Sequence, residues 1–340
     1  MKQTKRLLSL AVAVVLTLLP LCEAGAQAAA PSILRTTAAE QQAADTIDGF
    51  MERVGYRCTT GALIPLLGAD GTVSAYYTAM RPNGYAVVDC LQGMVEFASE
   101  GSLELSGDED IYYFGAGAFF RKEDDGFCHL FLDKFLTVEQ SEEATLQFRQ
   151  RCLSEQTVRA AEMGVSKPQA AVKSYNLPYA TRRLSHSNPQ YSGTVAAAIT
   201  LLYYGDHVDS WVIPSWHNTE SGQSLMDLIS PQIEGTTRAT KEDVACGLNY
   251  YFRWRGISHS YEAVTATAYS PTFLRHLQII ERPIILCMPN IDRVVVSTGF
   301  KYDAGFFACI NEGLGKSYDV FYRFSECDGM VYVTYTYNNV

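Results

Sequence analysis

Histidine is scarce in this 340-residue sequence: there are six, and none stands at zinc-ligand spacing from a cysteine. No CxxC pair occurs. A structural metal site and a thioredoxin-type redox motif are therefore not expected, and nothing implies a cofactor. No dense Lys/Arg run is present and the net charge is −10. Such a surface repels nucleic acid and anionic membranes. No stretch reaches the roughly 20 apolar residues of a membrane span. Repeats and low-complexity tracts are also missing. No cysteine falls between 153 and 245, so that stretch offers no thiol nucleophile.

What is present begins at the N-terminus. Lys2, Lys5 and Arg6 precede an apolar run from Leu7 to Leu21, and Ala24-Gly25-Ala26 supplies small residues for cleavage. Residues 1–26 thus read as a signal peptide, and the chain as secreted or extracytoplasmic. The remaining length fits two domains, and 47% apolar residues permit a full core. Eight cysteines follow the signal (58, 90, 128, 152, 246, 287, 309 and 327). An even number in an exported chain allows disulfides. The spacings are wide, and Cys246, Cys287 and Cys309 lie in apolar runs, so most are expected to be unpaired, buried thiols. Spacing does not fix connectivity or oligomeric state.

Thr37-Ala38-Ala39-Glu40 is a capping box opening a helix to about Arg53. From Gly61 to Leu136, turn signals such as Pro82-Asn83-Gly84 and Asp124-Asp125-Gly126 separate short β-favouring runs. A helix is expected from about Glu139 to Met163, and 164–184 reads as linker. Helices are then expected over 193–204, 222–233 and 240–255, and another from Ser270-Pro271. After Pro283 the pattern turns to strands: 284–288, 294–300, 306–310, 318–324 and 330–337. Helices followed by a sheet signal an α+β class. The domain reading is a signal peptide at 1–26, an α+β domain at 34–165 and a second domain at 177–340.

Ser192-Gly193-Thr194-Val195-Ala196-Ala197-Ala198, followed by Ile199 to Tyr204, resembles the nucleophile-helix motif of secreted bacterial papain-like cysteine peptidases. There the run reads Cys-Gly-Pro-Thr-Ala-Ala-Ala and then Leu-Tyr-Tyr. Gly84-Tyr85-Ala86-Val87-Val88-Asp89 resembles a strand motif of the prosegment in the streptopain-like, bacteriocin-processing-like branch. The resemblance spans about 35–338. It implies a papain-like fold, a helical half plus an antiparallel sheet, preceded by a prosegment-like α+β domain. It also implies a Cys/His/Asn triad at Ser192, Arg293 and Asn311. The first two positions are substituted; Asn311, in Asn311-Glu312-Gly313-Leu314-Gly315, keeps the family residue.

Acyl transfer of this kind needs a thiolate, a histidine that shuttles its proton, and a residue that orients the histidine. A serine hydroxyl is not ionised by a helix dipole alone, and arginine stays protonated near neutrality. Shifting the alignment offers Thr194 or Asp292, neither of which restores the pair. The resemblance therefore implies an inactive pseudopeptidase that binds a peptide or protein partner through the remnant cleft. The alternative is an active hydrolase in which Ser192 works with a relocated base, His186 or His207. His186 or Gln190 would supply the oxyanion contact. Simpler roles stand beside these: Ser192 as a helix cap, Arg293 in an ion pair, Asn311-Glu312-Gly313 as a strand-end turn. Trp211, Trp216 and His217 would line a groove wall or, more commonly, pack in the core.

Overall fold

The helix that opens at Ser192 is apolar on every side, and the second half of the fold is built around it. The computed structural model describes residues 37–335 apart from 92, 133, 148–149, 151–173, 234–238, 268–276, 278–279, 290 and 303–305. The expected signal peptide, Cys152, the Ser270-Pro271 helix start and residues 164–173 of the expected linker lie outside the described residues.

In chain order the elements are α1 (Ala38–Arg53), β1 (Thr59–Leu67), β2 (Val73–Arg81), β3 (Tyr85–Asp89), β4 (Gly93–Ala98), β5 (Ile111–Tyr113), β6 (Phe119–Glu123), β7 (Gly126–His129) and β8 (Phe135–Thr137). A helical run follows over 138–147. Then come β9 (Ser174–Asn176), α2 (Ser192–His207), α3 (Gln223–Ile229), α4 (Lys241–Arg255), β10 (Tyr261–Ala266), β11 (Ile284–Met288), β12 (Arg293–Tyr302), β13 (Phe306–Asn311), β14 (Val320–Arg323) and β15 (Gly329–Tyr335). The class is mixed α+β. The capping box at the start of α4 forms: Thr240 accepts from the Asp243 amide while Asp243 accepts from the Thr240 amide.

From residue 38 on, the described residues form one compact unit. One fifteen-stranded sheet runs through it in the order β10-β15-β11-β12-β13-β14-β4-β3-β2-β1-β5-β6-β7-β8, with β9 added to β12. Only β1 and β5 pair in parallel among these strands. The first region (38–147) and the second (174–335) join where β14 pairs with β4, Phe321 opposite Phe97 and Tyr322 opposite Glu96. α1 closes this seam: Phe50 and Phe97 pack with Phe307 and Phe321 in one buried cluster.

Two strands were not legible in the sequence. β9 lies in the expected linker and pairs Tyr175 with Phe300. Its three residues are too few to show alternation, and Pro178 marks the segment as irregular. The approach is so close that a Cβ on Gly299 would sit 2.3 Å from the Tyr175 carbonyl oxygen. β10, antiparallel to β15, carries no strong turn signal ahead of it.

α2 is buried from Ser192 through Gly205, as a helix apolar all round should be. It packs with α3 and α4 against β11, β12 and β15, where Val294, Val296, Ile285 and Val331 meet Ala197, Ala198 and Leu201. Small side chains at 196–198 let the backbones approach. No helix among the described residues is long and apolar enough to cross a membrane. Cys58, Cys128, Cys246 and Cys309 carry free thiols. Cys246 is exposed rather than buried, because it falls on the solvent side of α4. Trp211 and Trp216 are also not core residues, at 75% and 68% exposure, since the loop after α2 turns them outward.

Candidate functional site

Three chain segments meet at the N-terminus of α2. Ser192 is the first residue of the helix and is 3% exposed. Its Oγ accepts a hydrogen bond from the Val294 amide at 3.1 Å, so the start of β12 lies directly against it. The turn after β13 lies against the same end: a Cβ on Gly313 would sit 2.8 Å from Val195 Cγ1. Arg293 Nη2 donates to the Glu312 carbonyl at 2.9 Å, which links β12 to that turn. Ser192, Arg293 and Asn311 thus belong to one cluster.

The contacts in the cluster are structural. Asn311 Nδ2 donates to Thr181 Oγ1 and to the Arg182 carbonyl, both at 2.9 Å, and Oδ1 accepts from the Gly313 amide at 3.1 Å. Its amide therefore holds the irregular segment at 181–182 and its own turn, leaving nothing to orient a base. No imidazole among the described residues is hydrogen-bonded to Ser192. His186 Nδ1 accepts from the Asn188 amide at 3.0 Å, and its ring stacks on Tyr191 at 4.4 Å. Gln190 is exposed, and its amide caps onto Asn188. His207 sits at the opposite end of α2, about 22 Å from Ser192 by helical rise, stacked on Tyr179. His217 engages Ser224 at 2.7 Å. None of these side chains is hydrogen-bonded to the serine among the described residues.

Around Arg293 the structure places a buried ionic cluster. Arg293 is 3% exposed. Burial lowers its pKa and Glu312 pulls it back up, but a guanidinium remains a cation. Glu312 accepts from Lys316 Nζ and from the Tyr322 hydroxyl, each at 2.5 Å. Burial raises the Glu312 carboxyl, and Lys316, Tyr322 and Arg293 reverse this to leave it below its ordinary value. The first region supplies the facing wall. Glu96 on β4 is fully buried and accepts from the Gly117 amide and, at 3.2 Å, from the Tyr113 hydroxyl. Burial pushes it up to about 7, against the Gly117 hydrogen bond and helped by the Glu312 charge. His129 on β7 accepts at Nδ1 from the Phe131 amide (3.1 Å), which leaves Nε2–H to donate to the Gly117 carbonyl (3.0 Å). Burial brings its pKa down to about 4, so the ring is neutral and both nitrogens are occupied.

Glu96, His129 and Lys316 are not singled out by the sequence. Glu96 had a signal, being a charge inside the apolar run Val95–Ala98. Glu312 and Lys316, four apart across a Gly-Leu-Gly turn, had a weaker one. His129 had none. Among the described residues, no cluster of three or more His, Cys, Asp or Glu side chains is arranged to hold a metal.

The two titrations oppose each other. Glu96, raised in the folded state, contributes stability fully below about pH 4.5 and loses it as pH rises through about 7. His129, lowered, contributes fully above about pH 6.5 and loses it as pH falls through about 4. Together they leave a nearly flat profile between pH 4 and 7. Glu96→Gln is expected to expose the His129 slope, gaining about 3 kcal/mol relative to the unsubstituted chain between pH 4.5 and 7. Denaturant midpoints measured at half-unit pH steps check this; parallel profiles would show Glu96 to be ionised throughout.

No family model matches the chain, and no curated protein does. Among solved structures, a prointerpain A fragment from Prevotella intermedia, a cysteine-to-alanine mutant, is similar with 13% identity and a TM-score of 0.42, over 80% of this chain and 98% of that one.

Proposed function

We propose that the chain is an exported, catalytically inactive homologue of the papain-like, streptopain-like cysteine peptidases, with its first region closed over the remnant cleft. The observation that carries this reading is the state of Ser192. Its hydroxyl is buried and accepts from the Val294 amide, with a cation, not a base, on the residue beside that amide. A hydroxyl needs a proton acceptor to attack a carbonyl, and general-base assistance alone is worth about 10²–10⁴-fold. Glu96, Gly117 and His129 of the first region line the same cavity as Arg293 and Glu312. A peptide or protein partner that engages this cleft has to displace that wall.

Ser192→Ala tests the reading. Hydrolysis of fluorescent casein and of a p-nitrophenyl ester should be at background for both proteins. Stability should fall by about 1–3 kcal/mol, because the Val294 N–H is left buried without an acceptor. Esterase turnover present in the unsubstituted chain and lost in Ser192→Ala would instead support the working hydrolase.

A further inference from the structure

A cavity of about 20 Å³ lies between the two regions, room for one guest the size of a water. Its walls are Glu96 on β4, Gly117, His129 on β7, Arg293 on β12, Glu312 and Lys316 of the turn after β13, and Tyr322 on β14. Arg293 and Glu96 both line it, and Arg293 Nε and Nη1 and Glu96 Oε1 are buried without a hydrogen-bond partner. Buried N–H groups of a cation carry a desolvation penalty unless something accepts from them.

We propose that this cavity is a binding site for one small monovalent anion of the halide class, chloride above all, held by the unsatisfied Arg293 N–H groups beside the Glu96 carboxyl. The charge balance favours an anion over a water. Arg293 and Lys316 bring two positive charges. Glu312 brings one negative charge and already serves Lys316 and the Tyr322 hydroxyl. His129 is neutral, with both ring nitrogens occupied. Tyr85, Tyr113 and Tyr322 are uncharged phenols, the first and last raised well above their ordinary range by burial. With Glu96 protonated the site holds one net positive charge. A cation is excluded by Arg293 and Lys316, and the single net positive charge favours a singly charged guest over sulfate.

Since the walls come from both regions, the anion would fasten the first region to the second. Glu96 supplies a proton switch: ionised, it cancels the net charge and repels the guest. The site does not depend on whether Ser192 is inert.

Two measurements on the full chain test it. At pH 6 and constant ionic strength, replacing sodium gluconate with sodium chloride should raise the melting temperature saturably, by roughly 2–4 °C. The rise should vanish at pH 9 and in Arg293→Met. Equal melting temperatures in the two salts, or a chloride effect retained in Arg293→Met, would overturn the proposal. Crystals of the unsubstituted protein soaked in bromide should show an anomalous peak between Arg293 and Glu96. Density for a water only, without anomalous signal, would also overturn it.

Discussion

Replacing Glu312 by alanine should cost about 3–5 kcal/mol of folding stability, the range for breaking a buried ion pair from one side. The carboxylate is 8% exposed. It accepts from Lys316 and Tyr322 and is the negative charge that faces Arg293. Without it, the buried Arg293 and the partly exposed Lys316 lose their counter-charge, and Glu96, raised to about 7, supplies little in mildly acid solution. Glu312→Gln should fall between, since an amide oxygen still accepts but carries no charge. Urea unfolding checks the prediction. The midpoint should drop with the slope unchanged. A shift worth less than about 1 kcal/mol would mean that the cluster is solvated and that burial does not govern its charges.

Phe97→Ala is expected to be comparably severe, about 3–5 kcal/mol, and its effect is directed at the seam. Phe97 is fully buried. It stacks on Phe321 at 4.6 Å and 3°, and meets Phe50 at 5.2 Å and Phe307 at 5.6 Å. Those partners belong to α1, β13 and β14, so one side chain touches both regions. The cavity left behind weakens the β4–β14 pairing that makes the sheet continuous. Proteolytic nicking of the first region should accelerate along with the loss of stability, whereas Phe97→Leu should cost much less because most of the volume remains. Unchanged nicking in a destabilised Phe97→Ala protein would show that the regions hold together elsewhere.

Much of the architecture was legible because it rests on local signals. The all-round apolar run from Ser192 to Tyr204 marks a buried helix, and Thr240 with Asp243 marks the start of α4. Strands after Pro283 show as β-branched runs. What the sequence hides is long-range. β9 is a three-residue strand recognised only by its partner β12. The sharing of one sheet by the two regions depends on Phe97 meeting Phe321, more than 200 positions apart. The convergence of Ser192, Arg293 and Asn311 followed from the motif, but their contacts did not. Asn311 spends its amide on Thr181, Arg182 and Gly313, which spacing alone does not disclose. The exposure of Trp211, Trp216 and Cys246 shows the reverse limit, since side-chain polarity says little about which way a loop or a helix face turns.

The proposal that Ser192 is inert is tested most directly by intact-mass measurement of the unsubstituted protein after prolonged exposure to a fluorophosphonate, at neutral pH and again at pH 9. A hydroxyl without a base should remain unlabelled at both, with the chain at its original mass. A single phosphonyl adduct mapped to Ser192, and absent from Ser192→Ala, would contradict the account.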